Sequence, residues 1–275
     1  MKLIQEKLLK IYSFFQKIGL IENRYFKKLF LFSYFFYKKH IEDPFSGLIK
    51  NKPELFKGGH ILDIGANIGY TSTLFSKIVT PGFKVYAFEP EPTNYVQLSQ
   101  IIDAWNARSK IIPICAAVGA SDATAELWYN ESHHGDHRIV TQKYSQSGIN
   151  FREVSAVEMR CIDSFVKSET LDSAVKFIKI DVQGYELPVC LGMEQTLATN
   201  PDAIVALEYD PETMSELGFA PEKILNLFQE QGYFMYILHQ RGALELARNE
   251  VMGQLIKKRG YLDLIFSKKE LLPSI

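Results

Sequence analysis

Cysteine is scarce in this chain of 275 residues: Cys115, Cys161 and Cys190 are far apart, odd in number, and form no C-x-x-C pair. A disulfide framework and a zinc knuckle are excluded, and a reducing, cytoplasmic compartment is the simplest expectation. Long apolar runs are missing too, and none approaches the ~20 residues that a membrane-spanning helix needs. The N-terminus has no apolar stretch followed by a small-residue cleavage site, so no signal peptide is expected. Excess charge of one sign is absent, with 31 Lys and Arg against 32 Asp and Glu, so nucleic acid is not an expected partner. No internal repeat or low-complexity segment occurs.

What is present is apolar and unevenly charged. A hydrophobic content of 47% is ample for one sizeable core. Residues 1–40 hold nine Lys or Arg, two Glu and 11 of the 35 aromatics, whereas the other 235 residues hold 22 basic and 30 acidic side chains. Ile4, Leu8, Ile11, Phe15 and Ile18 recur at helical spacing, and a second helix over 23–39 carries Phe26, Leu29, Phe30, Phe36 and Tyr37. A basic, aromatic, amphipathic segment suits either homodimer contact or burial through residues 1–40, or peripheral contact with an anionic membrane. Asp43-Pro44 and Ser46-Gly47 mark a break, so residues 1–50 are read as a helical extension and 51–275 as the main domain.

Beyond residue 55 strands and helices alternate. Strands are expected at 60–64, 83–89, 111–115, 177–181, 203–208, 233–238 and 261–266, with helices at 69–78, 91–106, 184–199 and 221–231. The rhythm predicts an α/β fold of βαβ units around a mostly parallel sheet, with the last two strands a hairpin-like pair. Residues 122–161 break the rhythm with alternating runs at 124–129 and 157–161, and are read as an insertion over the mouth of the sheet.

The segment His60-Ile61-Leu62-Asp63-Ile64-Gly65-Ala66-Asn67-Ile68-Gly69-Tyr70 runs from a strand through a glycine turn into a helix. That arrangement builds nucleotide pockets. A dinucleotide fingerprint needs G-x-G-x-x-G, but Asn67 and Tyr70 occupy its second and third glycine positions. Asp63 before the turn suits a cationic ligand better than a pyrophosphate, which favours S-adenosyl-L-methionine. Glu89 closes the second strand, placed to take both ribose hydroxyls. Such an acid also fits NAD, so a nicotinamide-dependent oxidoreductase is the competing enzyme and a catalytically silent binding module the competing class. Ala116 and its small neighbours after the third strand leave room for a flat ring.

Ligands of open α/β sheets bind at the carboxyl ends of the strands. Asp181 ends the fourth long strand, placed to orient or deprotonate a substrate hydroxyl, and Glu208 ends the fifth on the same edge. Glu186 follows one helical turn after Asp181, as a second carboxylate or as a helix cap. The loop Glu131–Arg138 holds His133, His134 and His137 beside Arg138. Histidine is a natural general base near neutral pH, and a solvated loop or a metal site are the other readings. No metal is assigned.

Four stretches in register, Asp63–Tyr70, Ala87-Phe88-Glu89-Pro90-Glu91-Pro92, Ile178-Lys179-Ile180-Asp181-Val182-Gln183-Gly184-Tyr185-Glu186 and Ala206-Leu207-Glu208-Tyr209, followed by Gln231-Gly232-Tyr233, resemble the FkbM family of S-adenosylmethionine-dependent methyltransferases. The resemblance runs from about residue 55 to 265. It implies the Rossmann-like class I methyltransferase fold, seven strands with the last reversed, and O-methylation of a sugar, polyketide or other secondary metabolite. By position, Asp63, Gly65, Asn67 and Gly69 line the methionine end of the cofactor, Glu89 holds the ribose and Asp181 faces the transferred methyl. His137 is favoured as base, with His134, Arg138 and Glu208 toward the small-molecule or glycan acceptor. The family commonly has Asp-Val-Glu-Gly where this chain has Asp181-Val182-Gln183-Gly184, and Gln183 can neither accept a proton at neutral pH nor neutralise a metal.

Overall fold

The structure is a computed structural model of the chain and describes residues 43–129, 137–146, 154–171 and 174–272. The chain divides into two units at Pro44/Phe45, and every described element lies in the second. The helices expected within residues 1–40, and the contacts expected of them, lie outside the described residues.

The unit opens with α1 (Phe45–Asn51) and a short 3-10 turn, Pro53–Phe56. There follow β1 (His60–Ile64), α2 (Tyr70–Ile78), β2 (Val85–Phe88), α3 (Pro92–Ala104) and β3 (Ile111–Ile114). A group of short elements comes next: β4 (Ala117–Gly119), β5 (Ala123–Trp128), β6 (Arg138–Ile139), α4 (Gln142–Ser145) and β7 (Val154–Cys161). The alternation resumes with α5 (Ile162–Ser168), β8 (Val175–Ile180), α6 (Glu186–Leu191), α7 (Glu194–Thr199), β9 (Ile204–Tyr209), α8 (Pro211–Leu217) and α9 (Glu222–Glu230). It closes with β10 (Phe234–Leu238), β11 (Leu244–Leu246), α10 (Asn249–Arg259) and β12 (Leu262–Ser267).

The main sheet runs β11-β10-β12-β9-β8-β1-β2-β3. Strands β3, β2, β1, β8 and β9 are parallel neighbours, and β12 lies antiparallel between β9 and β10. The reversed last strand is therefore as the resemblance implies. The sheet has eight strands rather than seven, because Leu244–Leu246 adds a short antiparallel edge to β10. Three residues, none of them buried, give too little periodicity to mark a strand in the sequence.

Both faces of the sheet are buried, and the two cores follow the period-two alternation of a strand. Leu62, Ile64, Ile178, Ile180, Val205 and Leu207 belong to one core. Ile61, Phe177, Ile204, Ala206 and Ile265 belong to the other, where the rings of Phe45, Phe56, Phe75 and Phe177 meet. Phe45–Asn51, which the composition assigns to the extension, thus packs with the sheet. Among the described residues no helix is long and apolar enough to cross a membrane.

Between β3 and β8 the chain forms a second sheet, ordered β4-β7-β5-β6, around Ala117, Leu127, Ile139, Val157 and Met159. It starts at Ala117, earlier than the expected 122. Its far end is latched onto α8, the helix leaving the carboxyl end of β9. Arg138 pairs with Glu216 at 2.7 Å, Thr141 Oγ1 donates to Leu217 O at 2.7 Å, and Lys143 Nζ donates to Ser215 O at 2.8 Å.

Candidate active site

The turn between β1 and α2 is built around backbone that has no room for side chains. Gly65 has φ 76°, and a β-carbon placed on it would lie 1.8 Å from the main-chain oxygen of Asp181. Gly69 caps α2 in the left-handed region, where a β-carbon would lie 2.4 Å from Leu98 Cδ1. Asn67 also takes positive φ, 50°, and its own side-chain oxygen accepts the Ile68 N–H at 2.7 Å. Gly65 N and Ala66 N donate to Phe88 O, which ties the turn to the end of β2.

Asp63 sits beneath this turn rather than in it. It is fully buried, and its Oδ2 accepts the hydroxyls of Thr71 at 2.7 Å and Ser72 at 2.5 Å. Its Oδ1 faces Lys179 Nζ at 3.5 Å. The expectation that Asp63 attracts a cationic ligand directly is corrected: the carboxylate is spent on pinning α2 and on an internal ion pair. Lys179, which the sequence gives no role, lies opposite Asp63 in the β1–β8 register and is equally buried. Its ammonium donates to Gly65 O at 2.9 Å and lies 3.4 Å from Asp181 Oδ2.

Glu89 stands one residue past β2, almost wholly buried. Its Oε2 accepts Asn67 N at 2.9 Å, its Oε1 accepts Glu91 N at 3.0 Å, and the Asn94 side chain bonds to it as well. Burial, aided by the nearby charge of Glu91, pushes its carboxyl up to about 7 against the pull of these donors. A carboxylate offers roughly four acceptor positions, so one is left for a ligand hydroxyl. A bidentate ribose contact requires Asn94 to release its bond.

A second acidic group lies at the carboxyl ends of β8 and β9. The Asp181 side chain is 37% exposed, and Gln183 donates its amide to Asp181 Oδ1 at 2.9 Å and, more distantly at 3.5 Å, to Glu208 Oε1. Glu208 keeps some exposed surface, yet burial around its carboxyl holds it well above the usual carboxylate range. The charges of Asp181, Asp263, Glu186 and Asp210 act in the same direction. Gln183 reaches both carboxylates from a left-handed backbone position, φ 54°. Glu186 turns back onto the loop ahead of its own helix and does not cap that helix, whose N-cap Tyr185 makes no side-chain bond: one oxygen accepts Val182 N and Gly184 N, and burial pushes the group up to about 7. Its other oxygen has no hydrogen-bond partner.

The remaining sequence-predicted residues are distributed more widely. Ala116 is buried between β3 and β4, while Cys115 beside it is exposed and feels the charges of Glu89 and Glu91. His137 packs its ring edge-on to Tyr129, centroids 5.6 Å apart, in the second sheet. Arg138 holds Glu216 and lies over the Tyr144 ring, so its charge is engaged in the latch to α8. His134 and its loop lie outside the described residues. The structure thus unites Asp63, Gly65, Asn67, Gly69 and Glu89 in one cluster and Asp181 and Glu208 in another, with Lys179 joining the two. Among the described residues no three His, Cys, Asp or Glu are grouped to hold a metal ion.

A nucleoside ligand fits this architecture. The turn brings bare backbone to the carboxyl edge of β1, Glu89 keeps one acceptor position beside it, and Asp181 flanks the same edge. At the turn, the Lys179 ammonium is buried between the carboxylates of Asp63 and Asp181 and is not turned toward a pyrophosphate.

Residues 63–235 match the family model described as "Methyltransferase FkbM domain". The chain is 26% identical over 160 residues to the hexuronic acid methyltransferase AglP of Haloferax volcanii, a stretch covering 56% of this chain and 59% of that protein. It is 26% identical over 157 residues to the methyltransferase sdnD of Sordaria araneosa, covering 49% and 60% respectively. The matches thus span about three fifths of the length of these relatives. Among solved structures, the methyltransferase FkbM of Methylobacillus flagellatus KT aligns with a TM-score of 0.45 at 16% identity, over 76% of this chain and 43% of that one. The O-methyltransferase of Bacillus cereus, solved in complex with SAH, aligns with a TM-score of 0.47 at 14% identity, over 82% and 81%.

Proposed function

We propose that this chain, which belongs to the FkbM methyltransferase family, transfers a methyl group from S-adenosylmethionine to a hydroxyl oxygen of a sugar, polyketide or other secondary metabolite. The observation that carries the reading is the position of Asp181. Its part-exposed carboxylate stands at the end of β8, its backbone is in contact range of the Gly65 turn, and Glu208 joins it through Gln183.

The cofactor supplies a methyl already activated by its sulfonium. The protein's share is to place a hydroxyl in line at about 3 Å and to receive its proton. In this reading the Gly65–Gly69 backbone receives the amino-acid end, Glu89 bonds the ribose, and Ala116 borders the adenine. Asp181 orients the acceptor hydroxyl and takes its proton, while the Gln183 amide, which donates to both carboxylates, holds Glu208 beside it as a second hydrogen-bond acceptor for the substrate. His137 is the second candidate base. A hydroxylated acceptor is supported by these polar groups, since carboxylates that accept and an amide that donates recognise hydroxyls without needing a charged substrate. AglP, named for hexuronic acid, supports a sugar in particular.

The test is calorimetry with S-adenosylhomocysteine, followed by a screen of sugars, uronic acids and polyketides with methyl-labelled cofactor. The reading expects binding and a labelled methyl ether. Label on nitrogen or carbon would overturn the O-methyl assignment, and binding of NADH without S-adenosylhomocysteine would replace the methyltransferase by an oxidoreductase. Unchanged turnover in His137→Ala would leave Asp181 as the base.

A further inference from the structure

We propose that Lys179 is a positioning residue: its buried ammonium, shared between Asp63 and Asp181, ties the glycine turn to the carboxylate at the reacting edge. The residue is next to last in β8, on the same face as Phe177, whose partner across β1 is Ile61. An apolar side chain would continue that core, and replacing a buried ion pair by apolar groups is often neutral or better for stability. What an apolar side chain cannot do is make the three contacts that Lys179 makes. Its Nζ lies 2.9 Å from Gly65 O, 3.5 Å from Asp63 Oδ1 and 3.4 Å from Asp181 Oδ2. These atoms belong to the turn, to β1 and to the end of β8.

Two consequences follow for Asp181. Its orientation is fixed from both sides, by Lys179 on Oδ2 and Gln183 on Oδ1. Its charge is also defended. Glu208 and Glu186 face it and oppose its ionisation, and the Lys179 ammonium counters them from the sheet side. Because the same ammonium donates to Gly65 O, any shift of the turn carbonyl is felt at Asp181. The site therefore has a direct link between the strand turn that meets the ligand and the carboxylate that meets the acceptor. That Asp181 stands at the reacting edge rests on the proposed methyl transfer, while the link itself rests on the three contacts.

The experiment follows the Asp181 side-chain carboxyl by 13C NMR, assigned by its loss in Asp181→Asn, across a pH titration of the full chain. Lys179→Met leaves Asp63 buried without its counter-charge, so the double variant Asp63→Asn/Lys179→Met, which removes both charges, is measured beside it, and Lys179→Arg serves as the charge-retaining control. The expected result is a rise of the Asp181 titration midpoint by about one pH unit or more in the double variant, and near-wild-type behaviour in Lys179→Arg. The acid limb of the turnover profile should move up with it, with kcat falling more than the KM for the cofactor rises. An unmoved Asp181 midpoint in the double variant would overturn the link whatever the activity. Failure of the wild-type chain to bind S-adenosylhomocysteine would instead sink the methyl-transfer reading and leave the titration to decide the link.

Discussion

Gly65 and Asp181 meet backbone to backbone: a β-carbon on Gly65 would fall 1.8 Å from the Asp181 carbonyl oxygen. The contact sets how far apart the ends of β1 and β8 stand, and so how far the turn lies from the acidic edge. Gly65→Ala must both open that contact and hold alanine at φ 76°. A loss of about 1–3 kcal/mol is expected in urea unfolding, with cofactor-analogue affinity reduced by more than tenfold in calorimetry. Wild-type affinity in this variant would show that the turn does not touch the ligand.

Glu89 carries a pH prediction. Burial places its titration at about 7, and a ribose hydroxyl donates only to an acceptor, so the ionised carboxylate is the binding form. Affinity for S-adenosylhomocysteine should rise as pH increases from 6 to 8 and level off above, measured by calorimetry with buffer correction. Glu89→Gln must turn one N–H donor toward Asn67 N or Glu91 N and should weaken binding at every pH.

Glu186 carries the corresponding stability prediction. Its carboxyl is raised from 4.5 to about 7 in the fold, so the folded chain keeps this proton to higher pH than the unfolded chain does. The stability involved is present in full below pH ~4.5 and is lost as pH rises through about 7. Glu186→Gln removes the titration while keeping an oxygen for Val182 N and Gly184 N. Denaturant unfolding should find the variant near wild type at pH 4 and more stable at pH 8, by up to roughly 3 kcal/mol at 1.36 kcal/mol per pH unit. Equal stability at both pH values would mean that the group ionises freely.

Arg138 and Glu216 form a latch whose acid is half exposed. Such pairs contribute little to stability, about 0–1 kcal/mol. Arg138→Ala should leave the unfolding midpoint almost unchanged but speed hydrogen exchange in β6 and α4, and Arg138→Glu with Glu216→Arg should restore protection. A raised acceptor KM without faster exchange would return Arg138 to the substrate.

Most of the parallel sheet was legible because its strands are short apolar runs that end in Asp63, Glu89, Asp181 and Glu208, with glycine turns between them. The Asp63–Lys179 pair was not. Ile178-Lys179-Ile180 shows no more than an apolar–basic alternation, and only the register of β1 against β8 places the ammonium over an aspartate in the core. The Arg138–Glu216 pair is hidden for the same reason, since Glu216 lies 78 residues on. The single helix expected over 184–199 is two, because Gly192 interrupts it where a β-carbon would fall 2.1 Å from Gly119 O of the second sheet. Helix α8 carried local signals: Asp210 caps the N–H groups of Glu212 and Thr213 ahead of Pro211, and Gly218 ends the helix in the left-handed region.

The position of β1 also orders events during synthesis. Its two neighbours leave the ribosome at very different times: β2 follows directly, but Lys179 emerges 114 residues after Gly65, behind the whole second sheet. At about 5–20 residues per second this is on the order of ten seconds. Throughout that interval the Asp63 carboxylate has no ammonium opposite it, and the β8-facing edge of β1 has no strand to pair with. A nascent chain or proteolytic fragment that stops short of Lys179 therefore presents an open central strand and an uncompensated charge, the profile of a chaperone client rather than of a smaller folded domain.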